Sequence, residues 1–232
     1  MCRNNPIQIF CIFLTFSPSH FLTFSPSHLL TFSPSHLLNH LAHCFLSFGD
    51  EDILTGNFIG DFVKGNDWRA YPAGIQKGIL LHRAIDAYTD DHPLTGRSVA
   101  RLRPFAGRYT PPVVDVLYDH VLTLNWSNYT GETFVGFTDK IYRQLQNKAA
   151  FMPEVLRERL PRMLEARFLD GYATPHGMDF VLERFSRRLP ANFDPKATLA
   201  HFLDNIDAFS EDFNGFFPDL LEYARQWLNN RS

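Results

Sequence analysis

The sequence predicts an all-α fold, a compact single-domain helical bundle that follows a low-complexity N-terminal extension. Three observations support this prediction. Apolar residues recur every three or four positions in successive segments, Pro and Gly separate those segments, and strand-like alternation is almost absent. The 232 residues are 45% apolar and 15% aromatic, which is enough for one sizeable core.

The N-terminal extension is a repeat of eight residues. Phe13–His20 and Phe21–His28 both read FLTFSPSH, and Leu29–His36 reads LLTFSPSH. A Ser-Pro pair in every unit interrupts a helix, and eight residues are too few for a solenoid unit. We therefore predict a disordered or loosely packed extension over residues 1–36 and a helical domain over residues 37–232. Repetition alone explains the histidines of the extension.

The first two helices are predicted over residues 37–48 and 51–63, with a Gly-Asp pair between them as stop and cap. Gly56 and Gly60 lie four residues apart in the second helix, where each costs about 1 kcal/mol relative to Ala. We expect a neighbouring element to approach closely at that face. Asp61, flanked by apolar residues, is predicted to be a carboxylate in apolar surroundings.

The third helix is predicted to begin at Pro72 and to end before Pro93. His82, Asp86 and Asp90 continue its core-facing stripe. Inward-facing imidazole and carboxylate groups are costly unless they are paired, hydrogen-bonded or bound to a metal. A His–Asp pair on a solvated face is the alternative interpretation.

A linker rich in Pro and Gly follows, with a short helix predicted at residues 97–102. The segment 113–126 is apolar nearly all round, which predicts a buried helix, although its valines leave a strand open. As a helix it places Asp115 and Asp119 on one face with His120 beside them.

The remaining sequence predicts amphipathic helices with charged outer faces. Their Phe, Leu and Met stripes are more typical of a core than of a cofactor site. These helices are predicted at residues 134–146, 153–168, 178–189, 196–213 and 218–229.

Charge and motifs exclude several classes of function. The formal charge of −3 gives no reason to expect nucleic acid or a membrane as partner. Three cysteines without zinc-ligand spacing indicate free thiols in a reducing compartment, which we interpret as the cytoplasm. The sequence has no nucleophile elbow, no phosphate-binding Gly-rich loop, no dinucleotide fingerprint and no catalytic Cys with a placed base.

Imidazole and carboxylate groups on three predicted helices point to a metal. Mixed nitrogen and oxygen ligands suit Mn²⁺, Mg²⁺ or Fe²⁺ better than structural zinc. Such an ion polarises a phosphoryl oxygen and activates water, so elimination leaves metal-assisted hydrolysis of a phosphate ester. The residues of this set are Asp61, His82, Asp86, Asp90, Asp115, Asp119 and His120.

Four segments that occur in order resemble the successive signatures of acyl carrier protein phosphodiesterases. They are LNHLAH (38–43), TGNFIGDFVKG (55–65), GILLHRAIDAYTDDHP (78–93) and VDVLYDHVLTLNW (114–126). That family is related to the HD-type metal phosphohydrolases, so the resemblance implies an HD-like helical fold. The His-Asp doublet of the HD pattern is reversed here as Asp119-His120.

The resemblance implies an enzyme of lipid metabolism that removes 4′-phosphopantetheine from holo-acyl carrier protein with Mn²⁺ or a similar ion. It implies metal ligands at Asp61, His82, Asp86 and Asp119, with His120 as a further catalytic residue. His43 matches the His of the family's N-terminal Leu-Ala-His and is a second-tier candidate.

The sequence leaves two residues open for the proton-transfer role. His120 or Asp115 could orient the water or protonate the leaving serine oxygen. Docking of an acidic carrier protein should need basic groups near the site. Those available are Lys64, Arg69, Arg83 and Arg97.

Two other functions remain as alternatives. The first is an HD-type phosphohydrolase that acts on a nucleotide or another small phosphodiester. The second is a non-catalytic helical binding module that keeps the pocket only for structure. A fold analogy alone does not distinguish among them.

Overall fold

The computed structural model describes residues 40–187 and 193–231, and within them it contains eleven α-helices and no β-strand. The all-α prediction is confirmed. The predicted extension over residues 1–36 and its boundary lie outside the described residues and stay predictions. The helices are α1 (His40–Phe45), α2 (Glu51–Ile59), α3 (Ala73–Asp91), α4 (Pro93–Ala106), α5 (Thr110–Leu124), α6 (Trp126–Tyr129), α7 (Phe134–Asn147), α8 (Glu154–Glu165), α9 (Pro175–Ser186), α10 (Pro195–Asp204) and α11 (Ile206–Asn229).

Helices α2 and α3 are in direct backbone contact. A Cβ atom added to Gly56 would lie 2.1 Å from the carbonyl oxygen of Ile75, and one added to Gly78 would lie 2.3 Å from that of Ile53. No real side chain fits at such distances, so only glycine allows the two backbones to meet. The close approach expected from the glycines of α2 is confirmed.

Helix α2 begins and ends for local reasons. The side chain of Asp50 accepts hydrogen bonds from the backbone N–H groups of Asp52 and Ile53, which caps the helix as predicted. The helix ends at Ile59, and a 3₁₀ turn over Gly60–Phe62 follows it. Asp61 therefore lies in a turn rather than in the longer helix that the sequence predicted.

Helix α5 lies in the core, which decides between the helix and the strand that its sequence allowed. Prolines occupy its first turn, where their missing N–H groups cost nothing. It packs against α1, α4, α9 and α11. Its fully buried apolar residues are Val113, Val114, Val116, Leu117, Val121 and Leu122.

Two predicted helix boundaries were wrong near the C-terminus. The chain ends α10 at Asp204 and starts α11 at Ile206, and α11 then runs through Pro218 without a break. A proline inside a helix costs about 3 kcal/mol. Buried apolar residues on both sides of Pro218, including Phe217 and Leu220, hold the two halves of α11 in one continuous core-facing stripe. Helix α4 is also longer than the short helix predicted there.

A buried carboxylate joins α4 to α11. Asp212 has no exposed surface and accepts hydrogen bonds from Ser98 and Arg101, while Nε of Arg97 lies 3.2 Å from its other oxygen. Tyr118 of α5 donates a hydrogen bond to Ser98 at 2.9 Å. Charge-assisted bonds of this kind fix the position of α11 relative to its neighbours. Within the described residues no helix is both long enough and apolar enough to cross a bilayer.

The backbone contact between α2 and α3 leads to a stability prediction. Gly56→Ala should lower the free energy of unfolding by about 1–3 kcal/mol or more, because the added methyl group overlaps the backbone of α3. Thermal and urea unfolding measure the change.

The matched control is Gly96→Ala in α4, where an added Cβ meets nothing within 4 Å. This control should be neutral or stabilising by up to about 1 kcal/mol, because it only improves helix propensity. Equal stability of the two variants would contradict the close packing of α2 on α3.

Candidate metal centre

His43, His82 and Asp86 converge on one point between α1 and α3. Nε2 of His43 lies 3.2 Å from Oδ1 of Asp86, and Nε2 of His82 lies 3.2 Å from Oδ2 of the same carboxylate. The two imidazole rings stack with their centroids 4.2 Å apart. One potential ligand atom from each residue lies within 4.8 Å of the others, which is a separation that a single metal ion can bridge.

Asp61 adds a second carboxylate from a third element. Its Oδ1 lies 3.3 Å from Nε2 of His82, and its side chain is 12% exposed. The turn over Gly60–Phe62 sets this position. Gly60 itself leaves room for the imidazole, because a Cβ there would lie 2.3 Å from Cγ of His82.

Asn57 fixes the orientation of the His43 ring. The amide nitrogen of Asn57 donates to the carbonyl oxygen of His43 at 2.7 Å and to the hydroxyl of Ser47 at 3.2 Å. The amide oxygen therefore faces Nδ1 of His43, 2.7 Å away, and accepts a hydrogen bond from it. With the proton on Nδ1, Nε2 is the nitrogen that faces Asp86, which is how hydrogen bonding prepares a metal-ligating histidine.

His82 is buried between carboxylates without a hydrogen bond of good geometry. It is 5% exposed, and neither ring nitrogen has such a partner in the described part of the chain. Burial opposes its protonation, but Asp86 and Asp61 outweigh that effect and raise the pKa of His82 above its usual value. A buried imidazole in this setting fits a site that holds a cation.

Asp119 and His120 lie apart from this cluster. The two oxygens of Asp119 accept hydrogen bonds from the backbone N–H groups of Leu41 and Ala42, at 3.0 and 2.9 Å. Asp119 is fully buried and satisfies the first turn of α1, the helix that carries His43. The structure therefore places His43, rather than the predicted Asp119, beside His82 and Asp86.

His120 contacts the chain elsewhere. Its Nδ1 lies 2.6 Å from the carbonyl oxygen of Tyr172, to which it donates, and its ring packs edge-on against Phe202. Burial lowers its pKa, so the ring is neutral at physiological pH. His120 lies on α5, which is helical as predicted, but its ring points at the segment before α9 and away from the cluster.

The cluster opens into a cavity of about 610 Å³. Asp90 and Asp115 line it together with Asp61 and Asp86, so its polar side is rich in carboxylates. Burial and the neighbouring charges of Asp86 and Asp90 raise the pKa of Asp115 well above its usual value. Apolar residues of α11 line the same cavity and form what we call its apolar wall. Its residues are Phe213, Phe216, Phe217 and Leu220.

None of the four basic residues predicted for docking lines this cavity. Arg83 donates to the carbonyl oxygens of Val63 and Gly65, and Arg97 pairs with Asp212. These two guanidinium groups hold the fold together. Lys64 and Arg69 are not among the residues that line the cavity.

Comparison with known proteins finds similarity over most of the chain. The sequence model of the acyl carrier protein phosphodiesterase family matches residues 38–220. The chain is 28% identical to acyl carrier protein phosphodiesterases of Photorhabdus laumondii and an Enterobacter strain. These matches cover 83% and 81% of this chain, and 96% and 97% of the relatives. No solved structure matches the chain.

The position of Asp119 leads to a prediction that separates its structural role from a metal-binding role. Asp119→Asn keeps the shape of the side chain but leaves one N–H of α1 without an acceptor. It should lower the free energy of unfolding by about 1–3 kcal/mol and leave the metal content of the folded protein unchanged. Urea unfolding and elemental analysis measure the two effects. Loss of bound metal from the folded variant would contradict this assignment.

The raised pKa of His82 predicts that metal binding depends on pH. A metal needs the neutral imidazole, so below the raised pKa of His82 a proton must leave first. The apparent affinity for Mn²⁺ should fall by about tenfold for each pH unit below that pKa. Asp86 releases no proton, because His82 and His43 outweigh its burial and lower its pKa. Calorimetry in buffers of different ionisation enthalpy measures the released proton, and proton-independent binding would count against His82 as a ligand.

Proposed function

The chain belongs to the acyl carrier protein phosphodiesterase family, and we propose that it hydrolyses the phosphodiester that joins 4′-phosphopantetheine to the serine of holo-acyl carrier protein. The products are the apo-carrier and 4′-phosphopantetheine. One observation carries this proposal: His43, Asp61 and Asp86, which come from separate family motifs, line one cavity, and His82 lies in contact with both carboxylates.

We propose that the protein uses a divalent ion, with Mn²⁺ as the first candidate. His43, His82 and Asp86 would hold the ion, and Asp61 would be a fourth ligand. Two imidazoles and two carboxylates form a mixed nitrogen and oxygen donor set that suits Mn²⁺ and Fe²⁺, and Mg²⁺ less well because it prefers oxygen. Nε2 of His82 faces the carboxylates of Asp61 and Asp86 without a hydrogen bond of good geometry, which supports a cation between them. When bound, such an ion polarises a phosphoryl oxygen and lowers the pKa of water to about 7.

Asp115 is the proton donor in this proposal. Of the two residues considered for this role, Asp115 lines the cavity and His120 does not. A raised pKa lets a carboxyl group keep its proton near neutral pH and give it to a leaving oxygen. Asp115 would protonate the serine oxygen as its bond to phosphorus breaks, which completes the apo-carrier.

The apolar wall of α11 supports a substrate with a long uncharged arm. Phe216 and Leu220 face the same cavity as the carboxylates, so a diester can lie at the polar side while the pantetheine arm packs on the wall. We place the protein in the cytoplasm, since the described cysteine, Cys44, is a buried free thiol. A nucleotide phosphodiesterase remains the second candidate, and the assay below includes it.

Substitution of the shared carboxylate tests the proposed function. Asp86→Asn should lower the rate of release of 4′-phosphopantetheine by more than about 100-fold, because it removes a metal ligand that also orients two histidines. The full-length protein is incubated with holo-acyl carrier protein and Mn²⁺, and mass spectrometry follows the loss of the prosthetic group.

The matched control is Asp91→Asn, an exposed carboxylate near the end of the same helix. It should retain the rate of the unsubstituted protein. A parallel panel of nucleotide diesters tests the second candidate. Hydrolysis of the panel but not of the carrier would contradict the proposed substrate, and no turnover of either would favour a non-catalytic binding module.

A further inference from the structure

Arg108 lies at the rim of the cavity on the turn between α4 and α5. This turn covers Gly107–Tyr109, and its first residue has a φ of +54°, a conformation that favours glycine. The hydroxyl of Thr110 donates to the carbonyl oxygen of Gly107 at 2.6 Å, which closes the turn onto the start of α5. The backbone position of Arg108 is therefore fixed by the fold.

Arg108 carries a positive charge on a cavity lining that is otherwise rich in aspartates. It is the only Arg or Lys among the described residues that line the cavity, and four aspartates line the same space. No ion pair joins it to a carboxylate in the described part of the chain. Its guanidinium donates a hydrogen bond to the hydroxyl of Tyr109 and lies 4.9 Å from the centroid of that ring.

A phosphodiester that enters this cavity meets an unfavourable field. With Asp115 protonated as the proton donor, the charged carboxylates of the lining are Asp61, Asp86 and Asp90. A single divalent ion offsets two of these three charges, so the anionic substrate needs a further cation near its path. Guanidinium is suited to that role, because its planar donors bind two phosphate oxygens at once and it keeps its charge at any physiological pH. The other arginines near this region, Arg97 and Arg101, are already bound to Asp212.

We propose that Arg108 binds the non-bridging oxygens of the substrate phosphodiester and positions it against the metal-binding cluster. The inference rests on the proposed function, which supplies the phosphodiester. It assigns phosphate recognition to a residue outside the cluster of His43, Asp61, His82 and Asp86. Tyr109 holds the guanidinium at the rim, so less side-chain freedom is lost when the anion binds.

Substitution of Arg108 in the Mn²⁺-loaded, full-length protein tests this role. Arg108→Ala should lower kcat/KM by about 10- to 100-fold, both with holo-acyl carrier protein and with the small diester bis(p-nitrophenyl) phosphate. Arg108→Lys should recover part of the loss, and added guanidinium should restore activity to the Ala variant but not to the unsubstituted protein.

Arg184→Ala is the matched control. Arg184 is also exposed and lies over an aromatic ring, that of Phe180, but it is on α9 and does not line the cavity. It should change neither activity. A loss in Arg108→Ala that appears with the carrier but not with the small diester would overturn the inference, because it would show docking of the protein instead. Unchanged activity with both would also overturn it.

Binding of inorganic phosphate separates this inference from the proposed function. Calorimetry on the Mn²⁺-loaded protein should show binding that Arg108→Ala weakens by about 10-fold or more and Arg184→Ala does not. If the protein leaves the carrier intact but keeps Arg108-dependent phosphate binding, the proposed substrate fails and the role of Arg108 stands. Equal phosphate binding by Arg108→Ala and the unsubstituted protein would overturn that role.

Discussion

The contact between the backbones of α2 and α3 is the constraint on which the rest of the site depends. Helices that meet through side chains lie 8–10 Å apart, and glycines at the crossing allow a closer approach. Gly56 and Gly78 remove the side chains at this crossing, and Gly60 removes the one that would occupy the place of the His82 ring. As a result a carboxylate from the turn after α2 reaches an imidazole on α3.

Buried polar groups away from the cluster hold it in shape. Asp119 accepts hydrogen bonds from the first turn of α1, and the side-chain amide of Asn57 bonds to both the ring and the backbone carbonyl oxygen of His43. Each group is costly to bury alone and is stable only with all its partners in place. The site therefore depends on polar contacts between α1, α2 and α5 as well as on the apolar core, and these contacts set the orientation of its ligands.

The sequence predicted the parts of this site that follow from local periodicity. The limits of α3 and the shared face of His82 and Asp86 came from proline positions and helical spacing, and the structure agrees. His43 was a second-tier candidate, because its sequence position did not show which neighbours its short helix would meet. Its position depends on Asp119, a partner 77 residues from Ala42. A helical pattern shows which face a residue occupies but not which neighbour that face meets. Arg108 lies in a turn, where no such pattern exists.

The cavity draws its two sides from distant parts of the chain. The candidate metal-binding cluster spans residues 43–86, whereas the apolar wall comes from α11 near the C-terminus. Substitutions in α11 can therefore change the wall without altering the residues of the cluster. In such an architecture, the shape of the substrate arm that the wall accepts can change while the phosphodiester chemistry stays the same.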